Sequence, residues 1–120
     1  MIKFLLVFLG GGMGSALRFY LSLWLQQGAQ VKWIPTLLVN LAGSAVLGFL
    51  LAQFHVKGLG INAWVFLGIG ICGGLTTFST LSAELFLFIR ENRWIEAVAY
   101  FMVSAILGVS FVVCGYKWGS

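Results

Sequence analysis

Thr36, Asn40 and Ser44 recur every fourth residue inside an apolar run, so on a helix they share one face. A second such row is Tyr100 and Ser104, continued by Gly108. An amide and a set of hydroxyls at membrane depth suit one kind of chemistry: replacing water around a small ion with fixed donors and acceptors. An unpaired amide is costly in hydrocarbon, so Asn40 either bonds across to another helix or donates N–H to a dehydrated anion. Hydroxyls donate or accept, so the Tyr100/Ser104 row does not settle the sign of the ion, and Ser104 bonding back to its own helix is an equal alternative.

The segment Gly68–Glu84 carries four glycines and five hydroxyl side chains, with no charge before Glu84. The uncharged run around it, Gly58 to Ala83, exceeds the ~20 residues a spanning helix needs. Glycine pairs weaken a helix, and a helix interrupted in the bilayer is tolerated only where its freed backbone is buried in protein or lines a wet cavity. A third helix interrupted within this segment, near its middle, is therefore expected. Arg18 falls in the final third of the first span, as either a functional cation or a side chain snorkelling to the headgroups. Glu84 follows the polar stretch, and pairing with Arg18 is the preferred expectation. No series of acids and histidines accompanies them, so neither reads as a proton relay.

The elements that must position these groups follow from the apolar runs. Of 120 residues, 61% are hydrophobic and 8% charged, far below the ~25% charged of a soluble domain. The fold class is all-α membrane protein, one domain of four transmembrane helices at about 4–26, 34–54, 63–89 and 95–116, with Pro35 opening the second. Short connections at Gln27–Trp33, His55–Asn62 and Arg90–Trp94 join them, and all five tryptophans fall near span ends. Lys3 and the apolar run into Gly14-Ser15-Ala16 have the outline of a secretory leader. The run reads instead as a retained helix, because its glycines suit packing. The net charge of +4 is scattered singly over the ends of apolar runs, which argues for headgroup anchoring and against nucleic acid. Cys72 and Cys114 form no spacing motif, and His55 reads as a solvated loop residue.

With four spans, Lys3, Lys57 and Lys117 face Lys32, Arg90 and Arg93 across the membrane. This near-balance gives almost no orientation, so the chain is expected to insert both ways up and to pair as an antiparallel homodimer. A single orientation set by the Arg90/Arg93 loop is the alternative. Gly10-x-x-x-Gly14, Gly70-x-x-x-Gly74, Ser44-x-x-x-Gly48 and Ser104-x-x-x-Gly108 supply small-residue spacing for tight helix packing and an oligomer.

The run G-G-L-T-T-F-S-T from Gly73 to Thr80 resembles the hallmark of the Fluc (CrcB) family of bacterial fluoride channels. Gly11–Tyr20 is similar to that family's first-helix motif, and Thr36–Gly43 to its second-helix motif, so the resemblance covers nearly the whole chain. It implies an antiparallel, dual-topology homodimer in the bacterial inner membrane, with two narrow pores that let fluoride leave passively. It further implies a structural sodium ion at the dimer centre, held by backbone carbonyls at the third-helix break, which maps to Gly73–Thr76, the carbonyls being those of Gly73 and Thr76. The pore asparagine maps to Asn40, the polar track to Tyr100 and Ser104, and the family's arginine to Arg18. Its pair of pore phenylalanines maps to Phe78 and position 81, where this chain has Leu81. Leucine lacks the positive ring edge that can face an anion. The departure is compatible with a poorer conductor, a mutant, or one half of a heterodimer with a homologous partner subunit.

Two rivals share the outline. A small dual-topology multidrug exporter is expected to carry a carboxylate in its first span, where this chain has Arg18, and a haem anchor is expected to carry histidines within its spans. No nucleotide-binding or catalytic motif is present, so no enzyme is expected.

Overall fold

A computed structural model of the chain describes residues 1–28 and 31–120. It is all-helical, with four stretches long and apolar enough to cross a membrane: Ile2–Gly28, Ile34–His55, Ile61–Arg90 and Trp94–Gly119. We label the first two α1 and α2. The third is bent. It begins as Ile61–Trp64, widens into π-helical turns over Val65–Cys72 and closes with Gly73–Leu75, these three pieces forming α3. After an interruption the chain continues as α4, Phe78–Arg90. The last helix is α5, Trp94–Gly119. The expected connection at Gln27–Trp33 includes residues 29 and 30, which lie outside the described residues.

The turns are short for local reasons. Pro35 sits in the first turn of α2, where its missing N–H costs nothing. The turn after α2 contains Gly58 at φ 74, and the turn after α4 contains Asn92 at φ 58. Glycine and asparagine are the residues that tolerate this left-handed backbone. At the second turn Asn92 N–H donates to Ile89 O at 3.0 Å and Arg93 N–H to Phe88 O at 2.9 Å, which reverses the chain into α5.

Glycine contacts assemble the bundle as two helix pairs. Gly10 and Gly14 of α1 lie directly against Gly70, Phe66 and Ile71 of α3, and Gly74 lies against Gly11. A Cβ on Gly10, Gly14 or Gly74 would collide with a backbone carbonyl, so the first two small-residue motifs mate with each other. In the second pair, Gly48 of α2 meets the Val112 backbone and Gly115 of α5 meets that of Ala45. Gln53 Nε2 then donates to Gly119 O at 3.0 Å. The fourth motif behaves differently: a Cβ on Gly108 would meet nothing within 4 Å. α4 closes the bundle through Leu81, Phe88, Ala97 and Tyr100. Many large apolar side chains remain outward, including Phe4, Phe8 and Ile95, as lipid-facing helices require.

Candidate functional site in the broken third span

The interruption falls at Thr76 (ψ 154) and Thr77 (φ −148, ψ 115), both extended. It therefore lies at the end of the expected Gly73–Thr76 stretch, and Gly73 and Gly74 are still helical. The physical reason is that Gly70 and Gly74 serve close approach to α1, while the β-branched threonines take the extended backbone that suits them.

Each side of the break is held by a different helix. On the α3 side, Gly74 O accepts from Arg18 Nε at 3.1 Å and from Ser15 Oγ at 3.4 Å, both on α1. A cation suits the carbonyl end of a helix. On the α4 side, Asn40 Nδ2 donates to Thr77 O at 3.1 Å, and Thr77 N–H donates to Asn40 Oδ1 at 2.8 Å. Asn40 thus keeps one N–H free. Thr77 caps α4, its hydroxyl oxygen accepting from Thr80 N–H at 3.2 Å. The carbonyls of Gly73 and Thr76 accept no hydrogen bond from the described residues.

The other polar groups divide between two places. Ser44 lines a cavity of about 250 Å³ with Asn40, Thr76, Phe78 and Leu81. Phe78 is 71% exposed, whereas Leu81 is 7% exposed and packed in the α4–α5 cluster. Thr36 and Tyr100 converge on Glu84, donating at 2.6 and 2.7 Å. Ser104, one turn beyond Tyr100, does not bond back to its helix; its buried Oγ has no partner among the described residues.

Arg18 and Glu84 do not form the expected ion pair; the two ion pairs among the described residues both involve Arg93. The carboxylate is occupied by the two hydroxyls and the guanidinium is turned to Gly74 O. The two residues nevertheless line one cavity of about 320 Å³, with Thr36 and Thr80. Sequence reasoning missed Ser22 and Gln26, which line the same cavity from α1. Their signal was available: Ser15, Arg18, Ser22 and Gln26 are three, four and four residues apart, a helical face. Thr77 and Thr80 had no such signal.

A second cavity, about 290 Å³, lies against Glu84 as well and is lined by Lys32, Trp33, Phe88, Glu91 and Arg93. Arg93 is pinned there. Its Nε is 3.2 Å from Glu96, its Nη1 3.4 Å from Glu91, and its guanidinium carbon 4.7 Å from the Phe88 ring centre. The Glu96 hydrogen bond is the main cause that holds its pKa above the ordinary arginine value, with the Glu91 bond adding to it and desolvation opposing.

The arrangement is a set of uncharged polar groups beside a helix break, next to a cavity lined by one cation, Arg18, and one carboxylate, Glu84. The family profile described as "CrcB-like protein, Camphor Resistance (CrcB)" matches residues 5–116. The chain is 42% identical over 119 residues to the fluoride-specific ion channel FluC of Xylella fastidiosa (strain 9a5c), covering 97% of this chain and 82% of that one. It is 42% identical over 116 residues to the protein of that name from Aquifex aeolicus (strain VF5), covering 94% and 93%. The identity to the protein of that name from Thermus thermophilus is 39% over 119 residues, covering 98% and 93%.

Proposed function

This chain belongs to the CrcB family, and from that premise we propose that it is a fluoride-specific ion channel, a multi-pass membrane protein that lets fluoride leave the cell passively. The observation that carries the reading is the convergence of neutral donors on the break in the third span. Asn40, Ser44 and Phe78 surround one cavity there, while Thr36 and Tyr100, beside the next, have their hydroxyl protons committed to Glu84 and donate to an ion only by releasing that carboxylate. Fluoride is small and tightly hydrated. Amide N–H, hydroxyls and the positive edge of an aromatic ring replace its water without trapping it as a bare lysine would. Asn40, Phe78, Tyr100 and Ser104 are the residues we assign to the path, with Thr36 and Ser44 beside them. Leu81 walls it without a ring edge. Arg18 supplies attraction, and Glu84 holds the two hydroxyls in place.

The functional unit is an antiparallel pair of chains with two pores, in the bacterial inner membrane. Support comes from what the single chain leaves open at membrane depth: Phe78 and Ser79 are exposed, and a Cβ on Gly73 would meet nothing within 4 Å. A second copy covers them. The carbonyls of Gly73 and Thr76 fit a sodium ion by chemistry, being oxygen donors without an N–H partner. Two carbonyls per chain are too few for one ion, so the two chains hold it together. Bound there, a sodium ion would supply fixed positive charge beside those carbonyls.

The test is efflux from proteoliposomes read with a fluoride electrode. Fluoride efflux with chloride retained is expected; efflux no faster than from empty liposomes would refute the channel as a homodimer.

A further inference from the structure

The Tyr100 hydroxyl of α5 meets Glu84 of α4, and one residue lies against both the tyrosine ring and its oxygen: Trp33, immediately before α2. We propose that Trp33 is a positioning residue for the fluoride path, holding the Tyr100 ring so that its hydroxyl reaches Glu84. This rests on the channel reading above.

Helix chemistry does not account for a tryptophan here. Trp33 occupies the N-cap of α2, where Ser, Thr, Asp or Asn would bond a free N–H, and its side chain makes no capping bond. Nor does anchoring in the headgroups account for it. Trp24, Trp94 and Trp118 are 62%, 57% and 82% exposed, as interfacial anchors are expected to be. Trp33 is half-buried and packed on the cluster of Leu81, Phe88, Ala97 and Tyr100.

The indole lies 5.1 Å from the Tyr100 ring, centre to centre, tilted by 45°, which is the separation of an attractive aromatic pair. The Trp33 carbonyl accepts Leu37 N–H at 3.1 Å and stands 3.4 Å from the Tyr100 hydroxyl oxygen. A phenol has one proton, and the 2.7 Å contact to Glu84 claims it. Packing of the ring, rather than the longer contact, therefore has to aim the hydroxyl. Phe88 packs on the same ring edge-on, with centres 6.2 Å apart, from the helix that carries Glu84. Trp33 closes the ring in from the side of α2.

The space around the ring makes this restraint matter. A cavity of about 290 Å³ beside Glu84 and one of about 360 Å³ beside Tyr100 both have Trp33 and Phe88 in their walls. Tyr100 thus has open volume next to it, and the indole is what keeps the ring out of that volume. Shortening Trp33 enlarges both cavities and frees the ring to swing away from Glu84.

Tyr100→Phe removes only the hydroxyl, so it reports what position 33 does to that group. Fluoride efflux and the midpoint of thermal unfolding in detergent are measured for the parent, Trp33→Leu, Trp33→Phe, Tyr100→Phe and the Trp33→Leu/Tyr100→Phe double variant. Expected is severalfold slower efflux from Trp33→Leu, recovery in Trp33→Phe, which keeps a ring, and a double variant no slower than Tyr100→Phe. Parent-rate efflux from Trp33→Leu, equal slowing by Leu and Phe, or a double variant slowed by both factors together overturns the proposal. The unfolding arm needs no transport. Tyr100→Phe is expected to shift the midpoint in the parent and to shift it much less in Trp33→Leu, whose hydroxyl has already left Glu84. Equal shifts in the two backgrounds, or none in either, overturn the proposal. If Trp33→Leu yields no monodisperse protein, Trp33→Met replaces it in every arm. If the parent conducts no fluoride, the channel reading fails, and the unfolding arm alone decides the role of Trp33.

Discussion

Asn40 pairs with both backbone groups of Thr77, one hydrogen bond in each direction, so a side chain of α2 replaces the helical partners that the break removes. The same amide that reads as an ion ligand is therefore also the splint of the interrupted helix. These roles are compatible because an amide nitrogen has two N–H groups and Thr77 uses one.

Asn40→Ala leaves the N–H and C=O of Thr77 unpaired at membrane depth. An unsatisfied buried group costs about 1–3 kcal/mol. We expect a clearly lower midpoint of thermal unfolding in detergent along with loss of fluoride efflux. An unchanged midpoint would mean that water or lipid replaces the splint.

Gly14→Ala and Gly74→Ala place a methyl into the carbonyls of Ile71 and Gly11, and neither backbone can yield without separating α1 from α3. Both variants are expected to lose monodispersity in size-exclusion chromatography. Gly108→Ala, which meets nothing within 4 Å, is expected to leave the chain's own packing intact. Equal behaviour of the three would contradict the glycine-to-glycine seam.

Thr36→Val and Tyr100→Phe each remove one donor from Glu84. If the two hydroxyls act as a pair on one carboxylate, the double variant departs from the sum of the singles, with a coupling of about 0.5–3 kcal/mol in stability. Thermal unfolding of the four proteins measures it; additivity would show that the hydroxyls act separately.

Leu81→Phe restores an aromatic edge beside Asn40 and Ser44, and faster fluoride efflux is expected. Leu81 is 7% exposed and packed in the cluster with Phe88 and Tyr100, so the larger ring also strains it. Overpacking of this kind costs about 1–3 kcal/mol. Faster efflux with a lower unfolding midpoint is the expected signature, and unchanged efflux would remove position 81 from the path.

The helices and the polar rows are legible in the order of the amino acids. Apolar runs of spanning length, broken by single charges, leave little choice in a bilayer, where backbone bonding must be satisfied within the segment. The four-residue spacing of Thr36, Asn40 and Ser44 is local and therefore legible. The glycine-rich third span announced an interruption for the same reason, and its position shifted only to Thr76 and Thr77. The partners across helices were decided by the tertiary structure alone. Arg18 meets Gly74 rather than Glu84, and Glu84 collects Thr36 and Tyr100. Such pairings depend on the rotation and depth of each helix against its neighbour. Those are set by glycine contacts between residues some sixty positions apart, such as Gly10 with Gly70 and Gly48 with Val112, which no local spacing reports.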